Sequence, residues 1–299
     1  MNYYVGIDIG GTRIKMGIIN EDGDILISEN QKTQLEKEKL FQQIDHFIKG
    51  QSYHIKGVGL SMPGVIKEDG YVQTSGAIHC FLNCYVKKEL EDYLGLRVIV
   101  ENDAKAAAMA EKWLGTAKNE NDFVCLTLGT AVGGAVYMNG QLQRGLGGLA
   151  GEFGVALVGL EPYQYDEQSF SFHAATVAGL CRHYSYRVKQ RVLDAREIIK
   201  RAQDGDSIAQ NCLEDFYHAV AVLFVNIAVM IAPHTIIVGG GISENREVMA
   251  AINQEYHHIC QQYHVLSLVN MPVIKTCQFK NDAGMIGAVY SFLRRHTDI

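Results

Sequence analysis

The apolar positions along the chain first follow the two-residue period of strands, then the wider period of helices. Tyr3-Tyr4-Val5-Gly6-Ile7-Asp8-Ile9 reads as a buried strand, Gly10-Gly11 as a sharp turn, and Gly11 to Ile19 as the strand that returns from it. An Asp22-Gly23 turn leads to a third strand, Ile25 to Ser28. Leu35 to Lys49 places Leu40, Phe41, Ile44, Phe47 and Ile48 on one helix face. Lys56 to Ser61 is the next strand and ends in Met62-Pro63-Gly64. A helix from Leu82 to Leu94 follows, then a strand, Arg97 to Val100, that delivers Glu101-Asn102-Asp103 to its end. The alanine-rich stretch Ala104 to Leu114 is a helix suited to close packing.

The pattern then repeats. Phe123 to Leu128 is a strand, Gly129 to Gly134 a glycine-bearing turn, and Ala135 to Met138 its partner strand, turned by Asn139-Gly140. After an irregular glycine-rich stretch, Arg144 to Gln168, helices are predicted at Phe172 to Gln190, Ala195 to Asp204 and Ser207 to Ile231. Thr235 to Val238 is a strand running into Gly239-Gly240-Gly241. A helix from Glu247 to Tyr263, a strand from Val273 to Thr276 and a helix from Ala283 to Arg294 close the chain. The likeness of the two halves predicts a duplicated α/β architecture. The first lobe would span 1–116, joined by the C-terminal helix 283–299, and the second would span 117–282.

Composition narrows the function. The chain has 299 residues, 47% hydrophobic and 20% charged, with a net charge of −6. No basic footprint for nucleic acid is present, and no apolar run is expected to reach the ~18 residues that cross a bilayer. The start, Met-Asn-Tyr-Tyr, has no look of a signal peptide. The seven cysteines are scattered, which fits free thiols in a reducing cytoplasm. A small molecule is the expected partner, with neither nucleic acid nor membrane.

Three glycine turns follow buried strands, at Gly10-Gly11, at Gly129 to Gly134 and at Gly239 to Gly241. Each lets a ligand approach backbone amides. At the first, Asp8 and the Thr12 hydroxyl face the same place. A carboxylate beside a phosphate is repulsive unless a cation lies between them, so the grouping reads as a magnesium-nucleotide site, although a plain hairpin turn also accommodates the two glycines. None of the turns has the spacing of a P-loop or the setting of a dinucleotide fingerprint. Asp103, at a strand end, reads either as a general base or as a helix N-cap. Asn102 beside it carries one acceptor and two donors.

Taken together, Asp8-Ile9-Gly10-Gly11-Thr12, Leu128-Gly129-Thr130 with Gly133-Gly134, and Val238-Gly239-Gly240-Gly241-Ile242 resemble the phosphate and adenosine segments of the actin, hexokinase and heat-shock chaperone ATPase superfamily. Asn102-Asp103 and Gly148-Leu149-Ala150-Gly151-Glu152-Phe153-Gly154 narrow the resemblance to the ROK family of repressors, open reading frames and sugar kinases, over nearly the whole chain. The resemblance implies a ribonuclease H-like two-lobe fold, ATP and magnesium in an interlobe cleft, and transfer of the γ-phosphate to a sugar hydroxyl, usually on C6. It implies Asp103 as base, and Ser61, Pro63, Gly64, Asn102 and Glu152 around the sugar. Gly10, Gly11, Thr12, Gly129, Thr130, Gly133 and Gly239 to Gly241 fall around the nucleotide, and Asp8 would meet magnesium through water. Family members are commonly homodimers.

The chain also departs from the family. Val155 stands where many members have a zinc-binding histidine, and no cysteine occurs from Gly159 to Ser171, so no zinc is expected. His173 aligns with a sugar-contacting glutamate, or is simply a histidine early in a helix. Tyr163, Tyr165, Phe170 and Phe172 introduce aromatic faces suited to a second sugar or an aglycone. The expected activity is therefore that of a β-glucoside kinase acting on substrates such as cellobiose, with N-acetylmannosamine kinase and glucokinase as alternatives. A non-catalytic sugar sensor would not need Asp103, and a repressor is not expected, since the charge is acidic and a phosphate strand beginning by Tyr3 would leave no room for a DNA-binding domain before it.

Overall fold

The computed structural model describes residues 1–296; positions 297–299 of the expected C-terminal helix lie outside the described residues. Two α/β units are present. The first comprises residues 1–119, 142–150 and 281 onward, and the second comprises 120–141 and 151–280.

In the first unit five strands form one sheet: β1 (Tyr3–Ile9), β2 (Arg13–Asn20), β3 (Ile25–Lys32), β4 (Ile55–Met62) and β5 (Val98–Asn102). Their order is β3-β2-β1-β4-β5. The first three are antiparallel, and β4 and β5 continue parallel to β1. Alternation decides the faces. Val5, Ile7 and Ile9 share a core with Leu40, Phe41, Ile44 and Phe47 of α1 (Lys37–Lys49) and with Val86 and Leu90 of α2 (Val86–Leu94).

The opposite face receives α9 (Ala283–His296), which packs against α3 (Asp103–Trp113). Two glycines permit this approach. A Cβ on Gly59 would collide with the Ala288 carbonyl, and one on Gly287 with the Ala106 carbonyl. The helix α2 starts at Val86 rather than Leu82. Before it, Val72 N donates to Cys84 O at 2.9 Å and Asn83 N to Val72 O at 2.9 Å, which ties residues 82–85 into a turn.

The second unit repeats the topology with β6 (Phe123–Leu128), β7 (Val132–Met138), β9 (Thr235–Gly239) and β10 (Val273–Thr276); β8 (Gln141–Gln143), within which the chain leaves this unit, extends the sheet to the order β8-β7-β6-β9-β10. Its core joins Val124, Leu126, Val136 and Val238 of the strands to α4 (Phe170–Ala174), α5 (Arg182–Val188), α6 (Ala195–Gln203), α7 (Ser207–Ile231) and α8 (Arg246–Gln262).

Three expectations need correction. The helix predicted from Phe172 to Gln190 is broken. Ala175 is extended, residues 176–181 form a wide turn of π-helix, and the amides of Thr176 and Val177 donate to Gly129 O at 3.0 and 3.1 Å. The backbone leaves the helical ladder there to satisfy the glycine turn. Second, α7 is long and apolar enough to cross a membrane by length and composition, against the expectation that no apolar run reaches that length. Phe216, Val220, Phe224 and Ile227 instead lie in the core of the unit.

Third, residues 142–150 belong with the first unit, not the second. Arg144 makes a two-pronged ion pair with Glu101, at 3.0 and 2.6 Å, and Lys105 Nζ donates to Gly148 O at 2.8 Å.

Candidate active site

In the first unit the hairpin β1–β2 closes between Ile9 and Ile14, and Gly10 N donates to Arg13 O at 2.9 Å. Thr33 braces the turn by donating from Oγ1 to Gly10 O at 2.7 Å. Gly11 and Thr12 are left exposed at its tip. Asp8 stands at the end of β1. The Ser61 hydroxyl donates to its Oδ1 at 2.8 Å, and a Cβ on Gly284 would collide with its carboxylate. Loss of hydration pushes Asp8 up to about 6; the negative charge of Asp103 adds to the rise, while Ser61 and Lys15 oppose it. Lys15, opposite Asp8 in register, is paired with Asp282.

Asn102 ends β5 and caps α3: its Oδ1 accepts from Lys105 N at 3.0 Å. Its Nδ2 donates to Gly64 O at 2.9 Å and to Asp103 Oδ1 at 3.1 Å. Asp103 is thus the first helical residue and not the cap. Its Oδ1 also accepts from Ala104 N at 2.8 Å. The carboxylate keeps accessible surface yet is densely surrounded, and burial holds its pKa above the usual carboxylate value. Two elevated carboxylates near one another form an acidic centre that would accept a proton or attract a cation.

Near this centre the chain wraps Pro63 and Gly64. Gly64 has φ +119°, and a side chain there would collide with the Thr74 carbonyl. Pro63 lies against Gly76, and Gly11 against Ala77. Residues 73–77 therefore connect Pro63-Gly64 to the Gly10-Gly11 turn.

In the second unit two of the glycine turns come together. Gly240, at φ +92°, has its Cα face 2.6 Å, measured from an added Cβ, from the carbonyl of Leu128, the residue before Gly129. Gly129 and Thr130 carbonyls accept from the amides of residues 176–178, and the Thr130 side chain is exposed. Gly133, in β7, pairs with Thr127. Gly239 lies against Cys277, and Gly241 opens a short turn to Glu244. Glu152 begins another short turn, held close to β7 because Gly134 leaves room for Gly151 and Phe153.

Two residues expected around the sugar are engaged by other groups. Ser61 is fully buried, and its hydroxyl serves Asp8 instead of forming a pocket wall. His173 lines a groove of about 1120 Å³ with α7 and α8. Its Nε2 lies 2.8 Å from Glu167 O, and its ring meets His183. Ser171, two positions earlier, faces the Glu152 turn: its Oγ accepts from Val132 N at 3.1 Å and lies against Gly154. Two helical residues span about 200°, so His173 points away from that turn.

Three residues escaped sequence reading: Lys105, Glu101 and Arg144. Lys105 lies in a helix whose alanines left no polar face to compare it with. Nothing local pairs position 101 with position 144.

A model of the ROK family matches residues 4–295. The chain belongs to the ROK family. It is a sugar kinase of that family, with the actin/hexokinase-like ATPase fold. The chain is 30% identical to the β-glucoside kinase of Listeria monocytogenes over 293 residues, 96% of each chain. A ROK family protein from Streptococcus pneumoniae, solved in complex with sucrose, superposes with a TM-score of 0.89 at 27% identity, covering 99% of this chain and 100% of that one. A ROK glucokinase from Streptomyces griseus, solved with glucose and AMPPNP, gives 0.85 at 25% identity, covering 98% and 100%. Relatives named glucokinase and N-acetyl-D-glucosamine kinase match as well, so the similarities do not divide the sugars.

Proposed function

We propose that this ROK kinase transfers the γ-phosphate of ATP to the 6-hydroxyl of a hexose unit, with β-glucosides such as cellobiose as its acceptors. The observation that carries the reaction is the division of labour at the start of α3: Asn102 caps the helix, which leaves the elevated Asp103 carboxylate available as base. The sugar O6–H proton passes to Asp103 as the O6–P bond forms and the bond from phosphorus to the β,γ-bridging oxygen breaks, releasing ADP. Positioning supplies most of the remaining rate.

Asp8 suits a magnesium ion held through water, since its buried charge is relieved by a cation. The ion would supply neutralisation of phosphate charge. In the first unit the turn at Gly10 to Thr12 suits phosphate and Gly64 a sugar; in the second, Gly129-Thr130 suits phosphate, Gly239 to Gly241 the adenosine and Glu152 a sugar. Support for a glycoside acceptor comes from the loop that follows Glu152. Tyr163 and Tyr165 are exposed there, and such rings suit the apolar face of a second sugar.

A coupled ADP-release assay with ATP and magnesium across cellobiose, an aryl β-glucoside, glucose and N-acetylmannosamine tests the reading. Higher kcat/KM for the glucosides is expected. Strong turnover of N-acetylmannosamine with none of cellobiose would overturn it.

A further inference from the structure

The loop from Ala156 to Ser169 leaves the Glu152 turn and returns to it. Its neck is closed by backbone bonds, Phe170 N to Ala156 O at 2.9 Å and Val158 N to Gln168 O at 2.8 Å, with Leu157 bridging Ser169. Immediately past the neck, Ser171 is bonded to Val132 and lies against Gly154. Both ends of the loop are thereby anchored beside Glu152.

Gln168 organises what lies beyond the neck. Its side chain is 8% exposed, in a loop whose other residues from 159 to 167 are largely open to solvent. Its Oε1 accepts from Glu161 N at 2.7 Å, and its Nε2 donates to Glu161 O and, at 3.2 Å, to Gln164 O. One amide side chain thus pairs with a backbone N–H and C=O together, as a neighbouring strand would. Gly159 makes room for it, since a Cβ there would collide with Oε1. The amide closes a ring of chain from 161 to 168, and the tip of that ring is Pro162-Tyr163-Gln164-Tyr165. Tyr163 is held at φ 66° and is 90% exposed, while Tyr165 is 59% exposed. Large apolar rings kept in solvent on a braced backbone do not contribute to this unit's core; they suit a surface offered to a ligand.

We infer that Gln168 is a positioning residue for acceptor specificity, whose buried amide holds the Tyr163 and Tyr165 rings as a preformed wall for the group carried on C1 of the sugar. The inference rests on the glycoside reading above. It assigns the wall to a hydrogen-bonded staple, so its rigidity is intrinsic to the polypeptide and should survive chelators.

The test compares wild type, Gln168→Met, Tyr163→Ser/Tyr165→Ser and the triple variant, on an aryl β-glucoside and on glucose. Gln168→Met keeps the length of the side chain and removes its amide. It should raise KM for the glucoside about tenfold while kcat and the KM for glucose stay within about twofold. In the background lacking both rings the same substitution should add nothing, because it acts through them. Equal losses on both sugars, or additive losses in the triple variant, would overturn the inference.

If wild type phosphorylates no glucoside, the substrate reading falls by itself. The staple is then judged by chymotryptic cleavage at the two tyrosines, in wild type and in Gln168→Met, with and without a chelator. Cleavage about tenfold faster in the variant, and unaffected by the chelator, supports it; equal cleavage overturns it.

Discussion

At the scale of single residues, the two elevated carboxylates make opposite demands. Asp103 must be ionised to accept a proton, and burial raises its pKa. The rate should therefore fall as pH drops through a value above the ordinary carboxylate range, with a single-proton slope in kcat/KM. Asp103→Asn should lower kcat by about 10²–10⁴-fold and leave sugar affinity, measured by calorimetry, nearly unchanged. Near-normal turnover would remove Asp103 from its assigned role.

Asp8 bears on stability instead. Its folded pKa of about 6 exceeds the usual 3.8, so the folded state binds the proton more tightly than the unfolded one. Ionisation then costs stability progressively as pH rises from about 4 to 6, and the cost is complete above that. Allowing for partial hydration it is about 2 kcal/mol. Asp8→Asn should accordingly raise resistance to urea at about pH 8, in protein free of metal and nucleotide, and the gain should vanish below about pH 4. Equal denaturation midpoints at pH 8 would show that the native carboxylate carries no such strain.

At the scale of elements, the loop at 144–150 is fastened by buried charge. Glu101 is 1% exposed and is paired by Arg144, with the Ser291 hydroxyl at 3.3 Å. Arg144→Met would leave that carboxylate buried with its main partner gone, at a cost of about 3–5 kcal/mol read from thermal or chemical denaturation. A loss under about 1 kcal/mol would mean that the pair is not functionally buried. Gly134 governs another element: a Cβ there would lie 2.5 Å from Phe153 and 2.8 Å from Gly151 O. Gly134→Ala should displace the turn that carries Glu152 and raise the KM for sugar.

Much of this was legible in the residues. Strands with a period of two and helices such as α7, found at Ser207–Ile231 as predicted, depend on local pattern. The glycine turns carried their own signal. What was not legible depended on distant partners. The break at Ala175 answers an acceptor at Gly129, far away in sequence. The orientation of His173 followed from an alignment across an irregular loop, in which a shift of two residues turns a helical side chain to another face. Nothing in the sequence around Ser61 pairs it with Asp8; the parallel register of β1 and β4 does.

At the scale of the whole molecule, each unit has its own hydrophobic core, one centred on β1 and one on α7. The chain passes between the units at 119–120, 141–142, 150–151 and 280–281, so neither unit is a continuous piece. A fragment spanning 1–119 lacks α9, which packs against β1, β2, β4 and β5 of the first sheet. It should therefore be largely unfolded by circular dichroism, and a cooperative native-like melt of that fragment would contradict the assignment of α9 to this core.

The same arrangement has a consequence in time. The strand carrying Asp8 leaves the ribosome long before the helix that packs over it. Synthesis at about 5–20 residues per second separates the two by roughly 15 to 60 seconds. For that interval the growing first unit holds an uncovered sheet face. Gly59, which lets α9 in so closely, belongs to a surface that other chains in the cell meet before its own helix arrives.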